Sequence, residues 1–312
     1  MAERIPYDEF SMFHENASEY GIPFTQPPHV TREFVAMSDG RRMSALKWGT
    51  DEPQLVFLHG GAQNAHTWDT VALALNVPLI CIDLPGHGHS DSAATFDKAA
   101  LPLEQNAADM AAVIKALAPN AKAVIGMSLG GLTTIALARD NADIVRKMVL
   151  VDITPGVTGE KTKQITDFVN GPATFPSFEE LLERTIQFNP TRTVESLRRG
   201  ILHNALQQED GSWVWRYRRD DAPSLPEMKA QVENEEKPAL DRSSLWDAIQ
   251  HYGKALMFIR GMRSQSVVTD DDETELRKRA SSVRVEHMQE AGHSVQGDMP
   301  LELAELIRDF AL

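Results

Sequence analysis

Gly126-Met127-Ser128-Leu129-Gly130-Gly131 stands between a buried apolar run, residues 122–126, and a helix-like stretch, residues 129–139. Acyl chemistry through a serine nucleophile is what this spacing offers. A hydroxyl attacks well only when it is presented rigidly, and a strand-to-helix turn tight enough to do so requires small residues around the serine. The hydroxyl also needs a base to take its proton. His293 lies on a loop after the last strand-like run, in the chain order serine, acid, histidine. Its rivals are worse placed, since His287 falls inside that run and His251 ends a helical stretch. Ser128 and His293 are therefore the candidate nucleophile and base, while His59, His87 and His89 are expected to shape loops by hydrogen bonding.

The elements that must position these groups follow from hydrophobic periodicity, which switches repeatedly between strand-like and helix-like. That alternation predicts an α/β fold, a mostly parallel sheet flanked by helices. Asp39-Gly40, between alternating runs at 31–37 and 43–48, predicts an antiparallel hairpin. Buried strands are predicted at 54–58, 77–82, 122–126, 146–151, 255–260 and 283–288, and helices at 103–117, 129–139 and 301–310. From 154 to 252 strand character disappears and amphipathic helical stretches predict an inserted helical cap. The predicted organisation is an N-terminal arm (1–30) without chemistry, a first core part (31–153), the cap (154–252) and a second core part (253–312).

Composition narrows the partners. With 312 residues, 42% hydrophobic and 24% charged, the chain is of ordinary globular type. Thirty-one basic against forty-five acidic side chains give a net charge of −14, which repels nucleic acid and anionic lipid alike. Cys81 is the only cysteine, so neither an intramolecular disulfide nor a cysteine-based zinc cluster can form. The first ten residues carry charge where a signal peptide needs an apolar stretch, and no apolar run approaches about 18 residues. The expectation is a cytoplasmic protein with a small-molecule substrate, no nucleic-acid or membrane partner, no metal and no cofactor; homo-oligomerisation stays open.

From Thr31 onward the chain resembles the α/β-hydrolase family. Leu58-His59-Gly60-Gly61 resembles the loop after that family's third strand, and Asp83-Leu84-Pro85-Gly86-His87-Gly88-His89-Ser90 the loop after the fourth. Ser128 sits on what looks like the nucleophile elbow, and Ala291-Gly292-His293 resembles the catalytic histidine loop. The resemblance implies a cofactor-independent serine hydrolase that works through an acyl-enzyme. Two donors must then meet the developing oxyanion: the backbone N–H of Leu129, directly after the nucleophile, and that of Gly61.

The acid is harder to place. The commonest family pattern has Gly-x-x-Asp after the penultimate strand, but Gly261-Met262-Arg263-Ser264 puts Ser264 there. Asp152, in Val151-Asp152-Ile153-Thr154-Pro155, resembles the acid of a branch of esterases and lactone hydrolases that carry it after the sixth strand. Asp152 is the leading candidate, with Ser264 a hydrogen-bonding neighbour of the histidine. Asp270, Asp271 and Asp272 are the alternative acids, although such a run also reads as a helix start, and a site without an acid is the third reading.

Phe168, Phe175, Phe178, Phe188 and Tyr217 lie in the predicted cap with Trp213, Trp215 and Trp246. The three tryptophans are the pocket candidates for a neutral, hydrophobic ester or lactone. Arg216, Arg218 and Arg219 beside Asp220 and Asp221 predict a solvated, mutually paired face. Three alternatives compete with ester hydrolysis: a carbon–carbon bond hydrolase on the same triad, a perhydrolase, and a non-catalytic or slow ligand receptor. Epoxide hydrolases and haloalkane dehalogenases use aspartate where this chain has Ser128. Labelling of Ser128 by a fluorophosphonate separates the enzymes from an inert binder.

Overall fold

Leu55-Val56-Phe57-Leu58, Ala123–Met127 and Met148–Val151 are buried along their whole length, as expected of strands covered on both faces of a parallel sheet. Successive residues enter opposite cores. Val56 and Leu58 pack into one apolar layer with Ile80, Met110 and Ile135, while Leu55 and Phe57 pack into the other with Trp68, Ile125 and Ile307. The computed structural model describes residues 4–92, 102–217 and 242–312.

The main sheet contains β1 (Val30–Ala36), β2 (Arg42–Trp48), β3 (Leu55–Leu58), β4 (Leu79–Ile82), β5 (Ala123–Met127) and β6 (Met148–Val151). Three short strands follow outside it, β7 (Thr174–Phe175), β8 (Ala205–Gln207) and β9 (Trp213–Trp215), before β10 (Leu256–Gly261) and β11 (Arg284–Met288) complete it. Its order is β1-β2-β4-β3-β5-β6-β10-β11. The predicted hairpin is the antiparallel pair β1–β2, and every pair from β4 onward is parallel. β5 lies between β3 and β6, with Leu58 opposite Gly126 and Met127 opposite Val151. The C-terminal ends of these strands thus share one edge, where open α/β sheets place their sites.

Four features depart from the expectation. The predicted arm holds a helix, Phe13–Tyr20, whose Phe13 is buried against Trp48 at 4.9 Å between ring centroids. The segment after β6 is not purely helical: β7, β9 and β8 form a separate antiparallel sheet beside the helices Phe178–Phe188 and Val194–Asn204. Strands of two or three residues are too short to leave a readable alternation in sequence. The helix Ser243–His251, expected in the cap, sends Leu245 and Ile249 into the main core beside the helix Leu129–Asp140. Arg216 is half-buried over the Tyr7 ring rather than on a solvated face. Arg218, Arg219, Asp220 and Asp221 lie outside the described residues.

Candidate active site

Ser128 directly follows β5 and Asp152 directly follows β6, and the Met127–Val151 register makes them neighbours. Both adopt positive φ, 51° at Ser128 and 46° at Asp152. That region costs a residue with a side chain on the order of 1–3 kcal/mol and persists only where its surroundings enforce it. Here they do so by close approach. A Cβ on Gly126 would fall 2.4 Å from the Gly130 carbonyl oxygen, and one on Gly130 would fall 2.3 Å from that of Leu58. Larger residues would push strand and helix apart and lower the serine into the sheet.

His293 Nδ1–H donates to Asp152 Oδ2 at 2.8 Å. Asp152 is fully buried and accepts three further bonds, from Gly261 N–H (2.9 Å) and Ser266 Oγ–H (2.6 Å) on Oδ1 and from Val267 N–H (3.2 Å) on Oδ2. Four donors satisfy the carboxylate and fix its direction. The histidine loop is fixed as well, by Gly292 N–H donating to Asp298 Oδ2 at 2.8 Å. Ser128 and His293 line one cavity of about 550 Å³ together with Gly61 and Leu129.

The loop after β3 leaves one N–H free for an oxyanion. Gly60 N–H donates to Gln63 Oε1 (3.1 Å) and Ala62 N–H to His87 Nε2 (3.1 Å), while Gly61 N–H has no acceptor among the described residues. His87 is kept neutral by burial, which pushes its pKa down, and its Nδ1–H donates to Pro85 O at 3.0 Å. His59 is locked beneath: Nδ1–H donates to Gly60 O (2.7 Å) and Nε2 accepts from Leu84 N–H (2.9 Å). Burial, reinforced by neighbouring His87, pushes His59 down to about 3. These neutral rings hold the loop without adding charge beside the oxyanion.

The rival groups lie elsewhere. His287 pairs with Glu273 at 2.8 Å, and His251 is exposed with Nδ1 bonded to the Asp247 carbonyl. Asp272 caps its own helix through Thr269 and pairs with Lys161, Asp270 pairs with Arg260, and Asp271 is exposed. The run is a helix start: all three carboxylates lie in the first turn, where the helix dipole favours negative charge, and Asp272 Oδ2 accepts from the Thr269 N–H at 2.7 Å.

Two sequence expectations need correction. Ser264 is exposed, and the hydroxyl that reaches the His293–Asp152 pair is Ser266, two residues on, where the turn after β10 points back inward. None of the three tryptophans lines the Ser128 cavity, although Trp215 lines the smaller cavity beside it. Trp213 and Trp215 sit two apart on β9 and share one face of the small sheet, where Trp213 meets Phe178 edge-on and Trp215 packs on Phe168 and Phe175. Trp246 packs on the main core beneath the Arg279 guanidinium. The aromatic residues that line the cavity are Phe168, Phe188 and Tyr217. Gln63, Ser266 and Asp298 were not legible as site residues, because each acts through a bond that only the folded loops create.

A second buried cluster joins His66, Asp69 and His203, with ligand-type atoms within 4.8 Å of one another. The His66 and His203 rings stack at 3.8 Å with only 12° between their planes. A metal lies in the plane of each imidazole that binds it, so no ion could take both rings as they stand. The cluster works instead as a hydrogen-bonded pair, His66 Nδ1–H to Asp69 Oδ2 at 2.9 Å.

A serine at positive φ after the central strand, a histidine held by a buried carboxylate and an N–H without an acceptor among the described residues line one cavity at the edge of an α/β sheet, the arrangement of a hydrolase. The chain belongs to the alpha/beta hydrolase family, whose sequence model matches residues 55–306. It is 40% identical to the esterase Rv0045c of Mycobacterium tuberculosis, across 96% of this chain and 95% of that one. A structure of that esterase, from work on its inhibition by transition metals and its structural refinement, superposes with a TM-score of 0.81 at 39% identity, covering 98% of this chain and 99% of the other. The 3-hydroxybutyrate-oligomer hydrolase of Cupriavidus necator is 27% identical over 84% of this chain and 90% of its own length. No helix among the described residues is long and apolar enough to cross a membrane.

Proposed function

We propose that this α/β hydrolase cleaves carboxylic esters, lactones included, through an acyl-enzyme on Ser128. Ser128 Oγ attacks the acyl carbonyl while His293 takes its proton, and Asp152 orients the imidazole and stabilises its cation. The oxyanion meets the N–H groups of Gly61 and Leu129. His293 returns the proton to the departing alcohol, and water, deprotonated by the same ring, releases the acid. One observation carries this reading: His293, held through Nδ1 by a fully bonded Asp152, shares a cavity with a serine forced into positive φ. The 40% identical relative, itself an esterase, supports the ester bond as the target.

The helices and small sheet between residues 163 and 215 act as the cap, and the apolar wall formed by Ile165, Phe168, Val169 and Phe188 favours a neutral, hydrophobic acyl group. The reaction needs no metal or cofactor, and its place is the cytoplasm. A fluorophosphonate probe with peptide mapping tests the mechanism. Labelling at Ser128, abolished by prior reaction with substrate-like inhibitor and by Ser128→Ala, is the expected result. Turnover of a p-nitrophenyl ester by folded Ser128→Ala within tenfold of the parent would end it.

A further inference from the structure

Gly61, whose N–H is to meet the oxyanion, is the second residue of a turn that Gln63 N–H closes on Gly60 O at 3.3 Å. The third residue is Ala62, and it stands at φ 60°. A turn with positive φ at its third residue ordinarily carries glycine or asparagine there, because a Cβ is disfavoured in the left-handed region. An alanine in that conformation has to be held by its surroundings.

Two bonds hold it, one from the core and one from the cap. On the core side, Ala62 N–H donates to His87 Nε2 at 3.1 Å. On the cap side, Ala62 O accepts from Asn204 Nδ2–H at 2.7 Å, and Asn204 is the last residue of the helix Val194–Asn204. The Asn204 amide is itself aimed. Its Oδ1 accepts from Asn64 Nδ2–H at 3.1 Å, and the same Asn64 group donates to His203 O at 3.0 Å. Asn64 is buried and fixed in turn, since its Oδ1 accepts from His66 N–H at 3.0 Å and caps the short helix Ala65–Trp68. Tyr7 Oη meets His203 Nδ1 at 2.9 Å, so the N-terminal segment pins the end of this cap helix as well. Asn204 is not on the wall of the Ser128 cavity. It reaches the site through one carbonyl and a backbone conformation that alanine adopts reluctantly.

We propose that Asn204 is a positioning residue: through its bond to Ala62 O, the seated cap keeps the turn of residues 60–63 in the shape that aims Gly61 N–H at the oxyanion. Without that bond Ala62 relaxes toward negative φ, the turn rearranges, and the donor moves off the developing charge. The cap then acts on the chemical step as well as on substrate choice. This inference rests on the esterase reading above and deepens it, since it presupposes the attack by Ser128 that the oxyanion donors serve.

Turnover of p-nitrophenyl acetate and p-nitrophenyl hexanoate by the purified full-length protein is the test. Asn204→Asp matches the asparagine in shape but sets an acceptor against Ala62 O, and Asn204→Ala removes the group; each is checked by circular dichroism. In both variants kcat should fall about 10- to 100-fold, short of the cost of losing an oxyanion donor outright. The factor should be the same for the two esters and KM should stay within about threefold, as expected when only transition-state stabilisation is lost. A trifluoromethyl ketone, which binds as a tetrahedral adduct of the serine, should lose affinity in step with kcat/KM. Adding Ala62→Gly to Asn204→Ala should restore turnover severalfold, because glycine takes positive φ without the penalty of a Cβ. Three results would each overturn the proposal: a kcat within about twofold of the parent in either folded variant, a loss carried by KM or confined to the longer ester, or a double variant no more active than Asn204→Ala. Parent turnover that Ser128→Ala abolishes reports the esterase reading on its own, so failure of that reading is distinguishable from an Asn204 variant that keeps its kcat.

Discussion

Two histidine–aspartate pairs stand on opposite sides of the Ser128 cavity wall, and their bonds are nearly the same. His293 Nδ1 meets Asp152 Oδ2 at 2.8 Å, and His66 Nδ1 meets Asp69 Oδ2 at 2.9 Å, both aspartates being buried. The difference lies in what surrounds them. Asp152 has both oxygens saturated, and its histidine faces the cavity that holds Ser128. Asp69 Oδ1 has no hydrogen-bond partner among the described residues, and the far nitrogen of its histidine is closed off by Glu9 Oε2 at 3.3 Å and Arg32 Nη2 at 3.4 Å. A histidine–aspartate bond is thus common to both, and only His293 shares a cavity with Ser128, which is why the proposed mechanism gives the role of base to His293 and not to His66. The His66 pair instead ties the segment around Glu9 to the core.

This contrast predicts unequal losses. Asp152→Asn should lower turnover about 10³- to 10⁴-fold, the scale seen when the group that fixes the histidine tautomer is removed. Asp69→Asn should leave turnover of a minimal acetate ester within tenfold and act mainly on melting temperature. Similar losses of activity from both, on proteins shown to be folded, would erase the distinction.

A smaller effect sharpens it on the catalytic side. Ser266→Ala removes one of four donors to Asp152 and should cost about tenfold in kcat, which corresponds to about 1.5 kcal/mol, the low end for a hydrogen bond to a charged group. Ser264→Ala, two residues away and exposed, should change nothing measurable. A larger loss from Ser264→Ala than from Ser266→Ala would contradict the Ser266–Asp152 bond.

The structural pair should reveal itself through pH. Burial works against a charge on His66, but Asp69, and then Glu9, outweigh it and raise His66 from 6.5 to about 9. A raised folded value means that the pair's stabilisation is complete below the unfolded value near 6.5 and fades as pH climbs through about 9. Melting temperature should therefore fall by a few degrees across that window, and His66→Gln should flatten the fall. A parent protein whose melting temperature holds constant from pH 6.5 to 9 would contradict the charged pair.

The smallest expected change concerns the roof. Trp213→Phe should leave the ratio of activities on short and bulky esters unaltered, because Trp213 packs against Phe178 inside the small sheet. Phe168→Ala, on the cavity wall, should shift that ratio severalfold. A shift from Trp213→Phe alone would restore the tryptophan to the pocket.

Ser128, His293 and the parallel sheet could be read from the chain because each depends on local rules. A turn that needs glycines leaves glycines at 126 and 130, and a strand buried on both faces leaves a continuous apolar run such as Met148–Val151. Sequence also singled out Asp152, but only against Asp270, Asp271 and Asp272, since a carboxylate's partner is fixed by where strand ends meet. In the fold Asp152, and none of the later three, bonds His293. Tertiary structure alone chose Ser266 over Ser264 and Phe168 over Trp213, and it alone brought Asn16, Asp69 and Gln296 to one cavity. Residues 53 to 280 positions apart share no local pattern, and their meeting depends on packing rather than on spacing.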